Sequence, residues 1–271
     1  MNTASESASH PPPALERFDE IAARLGNHQP VVCLDFDGTL AEIAPRPELA
    51  KMTAAMRTAL ERVAQHWSTA IISGRSLRDV RESVAIEGLV YAGNHGLEIE
   101  GPPGSNISRV LASEYRAAVA DSAARLSAML SNIDGVLIED KDYSLSVHYR
   151  LADSADLDRI EAAVDDVADA CPALEKKSGK MVLELRPSID WDKGRALTWL
   201  LAAIDHRGLT MVPVYIGDDV TDEDAFAAIR DHGLGILVSE QQRPTAASYR
   251  LRDPGEVCVF LQRLADLGDP G

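Results

Sequence analysis

The stretch that decides the fold is Val31-Val32-Cys33-Leu34-Asp35-Phe36-Asp37-Gly38-Thr39. Its apolar first half predicts a short buried β-strand. Asp35 and Asp37 are two residues apart on an extended backbone, so both point to the same side at the carboxyl end of that strand. Open α/β sheets bind their ligands at that end. The stretch therefore predicts a site built around two carboxylates.

Two crowded carboxylates repel each other unless a cation lies between them, and oxygen ligands of this kind suit Mg²⁺. A simpler alternative is a strand that ends in an acidic turn without a ligand. A calcium loop is disfavoured, because Asp35-Phe36-Asp37-Gly38 lacks a third ligand before the glycine and lacks flanking helices.

The composition limits the classes of partner. The chain has 271 residues, is 45% hydrophobic and carries a formal net charge of -16. Nucleic acids and anionic membrane surfaces both require a basic face, so we expect neither as a partner. An anionic small molecule remains compatible, since a few local cations and a metal ion can outweigh a distant field.

The cysteines and the N-terminal segment indicate the cellular compartment that we expect for the protein. Cys33, Cys171 and Cys258 are widely spaced and lack metal-binding partners, which predicts buried free thiols in a reducing, cytoplasmic environment. Residues 1–13 are rich in Ser, Ala and Pro and have neither a basic start nor an apolar core. They are interpreted as a disordered tail and not as a signal peptide, and no apolar run of transmembrane length follows.

Strands alternate with helices over most of the chain, which predicts an α/β fold with a parallel sheet. The further predicted strands of this sheet are residues 69–72, 89–92, 212–216 and 235–238. The predicted helices around them are residues 15–25, 49–65, 76–84, 192–204, 222–229 and 256–264.

A different pattern begins after the breaker cluster at residues 101–105. A helix (113–130), two strands (136–139 and 144–149), a second helix (155–170) and two more strands, the last at 181–185, predict a small α+β unit. We therefore expect a core made of residues 14–104 and 187–271, with residues 105–186 inserted into it.

Three further polar sites fall at strand ends or helix starts of the predicted core. Ser73 and Gly74 follow a strand and offer a hydroxyl and an N–H to a phosphoryl oxygen. Lys193 begins a helix and is a point charge suited to a phosphate. Residues 217–222, Gly-Asp-Asp-Val-Thr-Asp, add carboxylates after another apolar strand. Each feature alone also fits an ordinary turn, an exposed lysine or a helix cap, but their order and positions together favour a phosphate site.

This order of motifs resembles the haloacid dehalogenase (HAD) superfamily of phosphohydrolases, in which DxDGT is followed by Ser or Thr, then Lys, then GDDxxD. The resemblance implies a Rossmann-like core with an inserted α+β cap domain. It also implies that Asp35 is the nucleophile and Asp37 the general acid and base. Ser73 and Lys193 would bind the phosphoryl group.

The same resemblance implies a metal site for Mg²⁺. Asp35, the backbone carbonyl of Asp37 and Asp218 would hold the ion, with Asp222 in its outer shell.

Several strings resemble the trehalose-6-phosphate phosphatases in particular. They are Asn94-His95-Gly96-Leu97-Glu98, Glu139-Asp140-Lys141, Ser146-Val147-His148-Tyr149-Arg150, Gly179-Lys180, Glu184-Leu185-Arg186-Pro187 and Trp191-Asp192-Lys193-Gly194. The residues that this resemblance assigns to substrate binding are Gly74, Arg75, Asn94, His95, Lys141, His148, Arg150, Lys180 and Glu184. From the residues alone, His148 and Arg150 could equally be the polar face of an ordinary strand.

The resemblance therefore implies a Mg²⁺-dependent phosphatase of trehalose 6-phosphate that acts through an aspartyl-phosphate. Open alternatives are another sugar phosphatase, of the sucrose-phosphate or mannosylphosphoglycerate type, a phosphomutase, and a non-catalytic sugar-phosphate sensor. The expected partner is a small-molecule sugar phosphate. A functional link to a trehalose-6-phosphate synthase and a monomeric state are both compatible with the sequence.

Overall fold

The computed structural model describes residues 11–26, 28–204 and 210–269, which form two β-sheets with helices packed on them. In chain order the strands are β1 (Gln29–Leu34), β2 (Ser68–Ile72), β3 (Val90–Gly93), β4 (Glu98–Glu100), β5 (Ser108–Val110), β6 (Leu137–Asp140), β7 (Leu145–His148), β8 (Leu174–Gly179), β9 (Val182–Pro187), β10 (Met211–Gly217), β11 (Leu234–Val238) and β12 (Tyr249–Leu251). The α-helices are α1 (Phe18–Leu25), α2 (Ala54–His66), α3 (Leu77–Val84), α4 (Arg116–Met129), α5 (Leu157–Ala170), α6 (Lys193–Ala203), α7 (Glu223–Ile229) and α8 (Pro254–Asp266).

The larger sheet has the strand order β12-β11-β10-β1-β2-β3-β4-β5. Strand β1 is central and pairs in parallel with β10 on one side and β2 on the other. The carboxyl ends of these three strands therefore lie next to one another at one edge of the sheet. The α/β fold expected from the sequence is confirmed, and this edge is where its ligand site should lie.

Alternate side chains of β1 pack into apolar layers on opposite faces of the sheet. Val32 and Leu34 point into one apolar layer that also contains Phe260 of α8. Val31 and Cys33 point into a second layer on the opposite face, with Leu197 of α6. A strand buried on both faces appears in the sequence as a continuous apolar run, which is why β1 was recognisable.

The largest errors in the predicted helices lie at their ends. Helix α2 was expected from residue 49 but begins at Ala54, because the Thr53 hydroxyl accepts the Met56 N–H at 3.1 Å and caps the helix there. Helix α8 is longer than expected, because Asp253 caps it and Pro254 occupies its first position.

The sequence does not predict the three short strands β4, β5 and β12. Strand β5 also changes the predicted start of the insert. Strand β5 pairs antiparallel with β4 in the larger sheet. Residues 108–110 thus belong to the larger sheet, and the predicted start of the insert at residue 105 is too early. The rest of the proposed division into core and cap stays a prediction.

The smaller sheet is antiparallel, with the order β6-β7-β9-β8. Leu145 and Val147 of β7 and Leu185 of β9 pack on one face in a separate apolar cluster with α4 and α5. Alternation places Ser146 and Glu184 on the other face. That polar face is turned toward the carboxyl edge of the larger sheet, since both residues line the cavity between the sheets.

Two expectations from composition need correction. Residues 1–10 of the predicted tail lie outside the described residues, but Pro12 is fixed, because its carbonyl accepts the Arg250 N–H at 3.0 Å. Of the three free thiols only Cys33 is fully buried, whereas Cys171 and Cys258 are partly exposed. Within the described ranges, the helices are all too short or too polar to cross a membrane.

Candidate active site

A cavity separates the carboxyl edge of the larger sheet from the polar face of the smaller one. The predicted site residues that line it are Asp35, Asp37, Ser73, Gly74, Arg75, His95, Lys141, His148, Arg150, Lys180, Glu184, Lys193 and Asp218. Asn94 and Asp222 are not among its lining residues. The fold thus brings together groups from both sheets that are up to 183 positions apart in the sequence (218 − 35).

Asp35 and Lys193 form the buried centre of the site. The Lys193 ammonium donates to Asp35 Oδ1 at 2.9 Å and to Asp222 Oδ1 at 2.7 Å. Lys193 is only 3% exposed and is the first residue of α6, directly after the cap residue Asp192. The two carboxylates outweigh the effect of burial and raise the pKa of Lys193 above its ordinary value. The lysine is therefore a permanent positive charge.

Asp222 holds the site together from behind the cavity. Its Oδ2 accepts the backbone N–H groups of Asp218 and Asp219, and its Oδ1 also accepts the Tyr215 hydroxyl at 2.7 Å. Burial opposes its charge, but Lys193 and these donors lower the pKa of Asp222. Asp222 is thus a fixed anion that orients Lys193 and the loop after β10.

Three carboxylates make a candidate metal site. Oxygens of Asp35, Asp218 and Asp222 lie within 4.8 Å of one another. Burial and the neighbouring carboxylates raise the pKa of Asp35 well above its ordinary value, and burial raises the pKa of Asp218 to about 6. This excess of buried negative charge fits a divalent cation with oxygen ligands. Asp222 already accepts four donors, whereas Asp35 accepts the Lys193 ammonium and Asp218 the Lys180 ammonium. We therefore expect Asp35 and Asp218, and not Asp222, to bind the ion directly.

Gly38 is required for the close approach of the loops after β1 and β10. Its φ is +81°, and a Cβ built on it would lie 2.3 Å from Asp218 Oδ2. We expect Gly38→Ala to lower the free energy of unfolding by more than the about 1–2 kcal/mol of a left-handed alanine. It should also weaken Mg²⁺ binding, because Asp218 must move. Urea unfolding and calorimetric titration with Mg²⁺ measure the two effects.

Gly88→Ala is the matched control. Gly88 has φ +83°, and a Cβ there meets nothing within 4 Å. It carries the same backbone penalty without the clash and should leave Mg²⁺ binding unchanged. Equal effects of the two substitutions on both measurements would contradict the packing of Gly38 against Asp218.

Ser73 and Gly74, which the sequence predicts to bind a phosphoryl group, form the turn after β2. The Ser73 hydroxyl accepts the Arg75 N–H at 3.2 Å and still has its own proton to donate. Gly74 lies against His95, since a Cβ would come within 2.7 Å of the imidazole ring. The turn therefore places Ser73 at the cavity that Asp35 also lines, with the His95 ring packed against Gly74.

Asp37 is bound by Arg75 in a two-point ion pair. The Arg75 Nε and Nη2 atoms donate to the two oxygens of Asp37 at 2.7 and 2.8 Å. Although Arg75 lines the cavity, its guanidinium is buried by these contacts. The prediction that Arg75 contacts the substrate stays untested, and the structure gives this residue a partner within the protein.

Lys141, Glu184 and His95 join the two sheets. The Lys141 ammonium donates to Glu184 Oε1 at 2.8 Å and to the Gly74 carbonyl at 2.9 Å. His95 Nε2 lies 3.3 Å from Glu184 Oε2. Burial opposes the charge of Glu184, but Lys141 and Arg186 outweigh it and hold its pKa well below the ordinary range. Burial and Arg186 lower the pKa of His95 to about 3, so the ring is neutral.

The remaining cap residues form a polar wall. Lys180, in the turn between β8 and β9, reaches across to Asp218 Oδ2 at 2.5 Å. Arg150 donates to the Lys180 carbonyl at 2.9 Å. His148 Nε2 lies 2.8 Å from Glu139 Oε2. Lys180 brings the smaller sheet within reach of the proposed metal ligands.

The expectation for Asn94 is corrected. Asn94 is fully buried behind the cavity, where Nδ2 donates to Glu98 Oε2 and to the Lys141 carbonyl, and Oδ1 accepts the Ser144 hydroxyl. An amide with these partners has little capacity left for a ligand. It therefore ties the loop after β3 to the turn that carries Lys141.

Sequence reasoning missed Glu139, Ser146 and Arg186, all of which line the cavity. The Ser146 hydroxyl donates to Glu184 at 2.9 Å, and the Arg186 guanidinium contacts the same carboxylate. Strand alternation could have found Ser146 and Arg186, because each is two residues from a predicted residue on the same strand face.

Comparisons with known proteins identify the family of the chain. The sequence model of the family described as trehalose-phosphatase matches residues 33–255. The chain is 41% identical over 270 residues to trehalose 6-phosphate phosphatase RA3 of Zea mays, covering 94% of this chain and 75% of that protein. It is 39% identical over 273 residues to the trehalose-phosphate phosphatase of Mycobacterium avium, covering 98% and 70%.

The fold is also similar to a solved structure. The C-terminal domain of Candida albicans trehalose-6-phosphate phosphatase superposes with a TM-score of 0.79 at 23% identity, covering 95% of this chain and all of that domain. At this identity the likeness concerns the fold.

Proposed function

This chain belongs to the trehalose-phosphatase family, and on that basis we propose that it hydrolyses trehalose 6-phosphate by way of a phosphoryl group carried on Asp35. The enzyme class is a phosphoric monoester hydrolase. The observation that carries the proposal is the buried Asp35–Lys193 pair at the base of a cavity whose opposite wall is polar.

In the proposed first half-reaction, an Asp35 oxygen attacks phosphorus and the bond from phosphorus to the sugar oxygen breaks. The bonding pair stays on the sugar oxygen, which takes a proton from Asp37. Lys193 contacts Asp35, and Ser73 lines the same cavity; in this proposal both stabilise charge on the transferring oxygens.

In the proposed second half-reaction, Asp37 takes a proton from a water molecule whose oxygen attacks the phosphorus of the aspartyl-phosphate. The bond from phosphorus to Asp35 breaks, and its electron pair returns to the carboxylate. Phosphate is released and Asp37 is protonated again for the next substrate. Asp37 suits this role because its side chain is 41% exposed, within reach of water.

Asp35 and Asp218 would hold the divalent cation, which we propose to be Mg²⁺, with Asp222 orienting them and the Asp37 carbonyl as a further ligand. When bound, the ion supplies positive charge next to the phosphoryl oxygens. The fit rests on the three converging carboxylates and on the raised pKa values of two of them, Asp35 and Asp218.

The sugar would bind against the polar face of the smaller sheet. A non-reducing disaccharide offers many hydroxyls, and this face offers carboxylate, ammonium and imidazole groups to pair with them. The residues proposed to face the sugar are Glu139, Lys141, His148, Arg150, Lys180, Glu184 and Arg186.

A substrate panel tests the proposed function. We expect phosphate release from trehalose 6-phosphate with a kcat/KM well above those for glucose 6-phosphate, sucrose 6-phosphate and mannosylphosphoglycerate. The reaction should depend on added Mg²⁺ and should yield free trehalose in equal amount with phosphate. Chromatography of the sugar product accompanies the phosphate assay.

The outcomes separate the alternatives. Equal rates on glucose 6-phosphate would contradict recognition of a disaccharide. An isomeric sugar phosphate without free phosphate would indicate a phosphomutase. Tight binding without turnover would indicate a sensor. The intact set Asp35, Asp37, Lys193 and Asp218 disfavours the sensor, because such a protein has no need of a nucleophile.

Three expectations from the sequence remain part of this proposal. They are a cytoplasmic location, a monomer, and a functional link to the synthase that makes the substrate.

A further inference from the structure

The Arg75 guanidinium binds Asp37 and also the backbone of Pro47, which lines the cavity. Besides its two bonds to Asp37, its Nη2 donates to the Pro47 carbonyl at 2.7 Å and its Nη1 to Asp79 Oδ2 at 2.9 Å. Its Cζ lies 4.7 Å from the centre of the Phe36 ring. The guanidinium is thus held by partners from the segment after β1 and from α3.

This arrangement fixes the orientation of a side chain that would otherwise rotate. Asp37 is much more exposed than Arg75, whose side chain is 5% exposed against 41% for the carboxylate. A planar guanidinium that donates two parallel hydrogen bonds sets both torsions of the carboxylate. It also leaves each carboxylate oxygen with a second lone pair, which is the position where a proton can be given or taken.

We propose that Arg75 is a positioning residue that holds Asp37 in the orientation from which it protonates the leaving sugar oxygen. Asp79 and the Pro47 carbonyl keep the guanidinium in place, and Asp37 and Pro47 both line the cavity. This inference rests on the proposed function, because it assigns Arg75 to the acid of that reaction.

Two substrates with different leaving groups distinguish a positioning role of Arg75 from a purely structural one. An alkyl oxygen, as in a sugar phosphate, needs a proton as it leaves, whereas p-nitrophenolate is stable without one. The parameter kcat/KM includes steps only through the first irreversible one, which is loss of the alcohol. A defect confined to the acid therefore lowers kcat/KM for trehalose 6-phosphate and spares kcat/KM for p-nitrophenyl phosphate.

We expect Arg75→Lys to lower kcat/KM for trehalose 6-phosphate by about 10- to 100-fold, because a small misplacement of a catalytic group has effects of this size. For p-nitrophenyl phosphate the change should stay below about 3-fold, since no proton transfer contributes there. Asp37→Asn should show the same selectivity with a larger loss. The double variant should be no worse than Asp37→Asn, because the two residues act as one unit.

Arg81→Lys is the matched control. Arg81 lies in α3, pairs with Glu100 at 2.8 Å and contacts Tyr91, outside the active-site cavity. The kcat/KM of this variant should equal that of the wild type for both esters. Asp79→Asn, which replaces a charged anchor of Arg75 with a neutral amide and leaves Asp37 intact, should show the same leaving-group selectivity with smaller amplitude. It keeps the test decisive if Arg75→Lys does not fold.

Equal losses of kcat/KM on the two esters, or additive effects in the double variant, would overturn the assignment of Arg75. Equal losses would instead indicate that Arg75 binds the phosphoryl group or only supports the fold. Failure of the proposed function gives a separate result, because the wild type would then hydrolyse p-nitrophenyl phosphate and leave trehalose 6-phosphate intact.

Discussion

Asp35→Asn is expected to lower kcat by about 10⁴-fold or more on both alkyl and aryl phosphates, because the loss of a nucleophile removes the covalent path for every ester. The amide cannot attack phosphorus, whatever the leaving group is. Steady-state assays of phosphate release with trehalose 6-phosphate and p-nitrophenyl phosphate measure the effect. Asp37→Asn is the comparison, since it should retain kcat/KM for the aryl ester.

The same substitution should not destabilise the protein. Asp35 is buried beside Asp218 and Asp222, and its raised pKa means that the folded state disfavours its charge. An asparagine keeps an oxygen that can accept the Lys193 ammonium. The free energy of unfolding without divalent cations should therefore be unchanged or higher. An Asp35→Asn variant that turns over normally, or that is inactive only because it is unfolded, would contradict the assigned nucleophile.

Lys193→Met is expected to have the second largest effect, on both activity and stability. It leaves Asp35 and Asp222 without their shared cation in a site that is almost fully buried. Removal of one partner of a buried ion pair costs about 3–5 kcal/mol. The loss of a charge on the transferring phosphoryl group should lower kcat by about 10²–10³-fold. Urea unfolding and steady-state kinetics measure the two effects.

The loss of stability in Lys193→Met should depend on pH in a defined direction. In the wild type the pKa of Asp222 is lowered, so its contribution to stability is present above an ordinary carboxyl pKa and is lost as the pH falls through its folded value. Without Lys193 the pKa values of both carboxylates rise, and the folded state then binds more protons than the unfolded state. The stability deficit of Lys193→Met should therefore be larger at neutral pH than at mildly acidic pH.

Lys177→Met is the matched control for Lys193→Met. Lys177 pairs with Glu175 at 3.1 Å, and both side chains are largely exposed. Its replacement should change the free energy of unfolding by about 1 kcal/mol at most. A Lys193→Met variant as stable as this control at neutral pH would contradict the buried network.

Much of the core fold could be predicted from the sequence because its signals are local. Strand β1 is apolar on both faces and ends in Asp35, and Lys193 follows a helix cap, so both sites were recognisable. The strands β4, β5 and β12 were missed because each has three residues, too few for a periodic pattern. The start of the insert was placed too early for the same reason.

The site was less predictable where a side chain's partner comes from a distant segment. Asn94 is adjacent in sequence to a residue that lines the cavity, yet its amide bonds to Lys141 and Ser144 in the turn between β6 and β7. An arginine next to a predicted phosphate site is a plausible phosphate ligand. The partner of Arg75 is, however, Asp37, 38 positions earlier in the sequence. Side-chain partners at such separations follow from the tertiary fold and leave no local pattern.

The most direct test of the central claim is identification of the covalent intermediate. Wild-type protein mixed with trehalose 6-phosphate and Mg²⁺ is quenched in acid during turnover, and its peptides are mapped by mass spectrometry. We predict a phosphoryl group on the peptide that contains Asp35, formed together with free trehalose and absent in Asp35→Asn. Trehalose release with the phosphoryl group on another residue, or undiminished turnover by Asp35→Asn, would contradict the account.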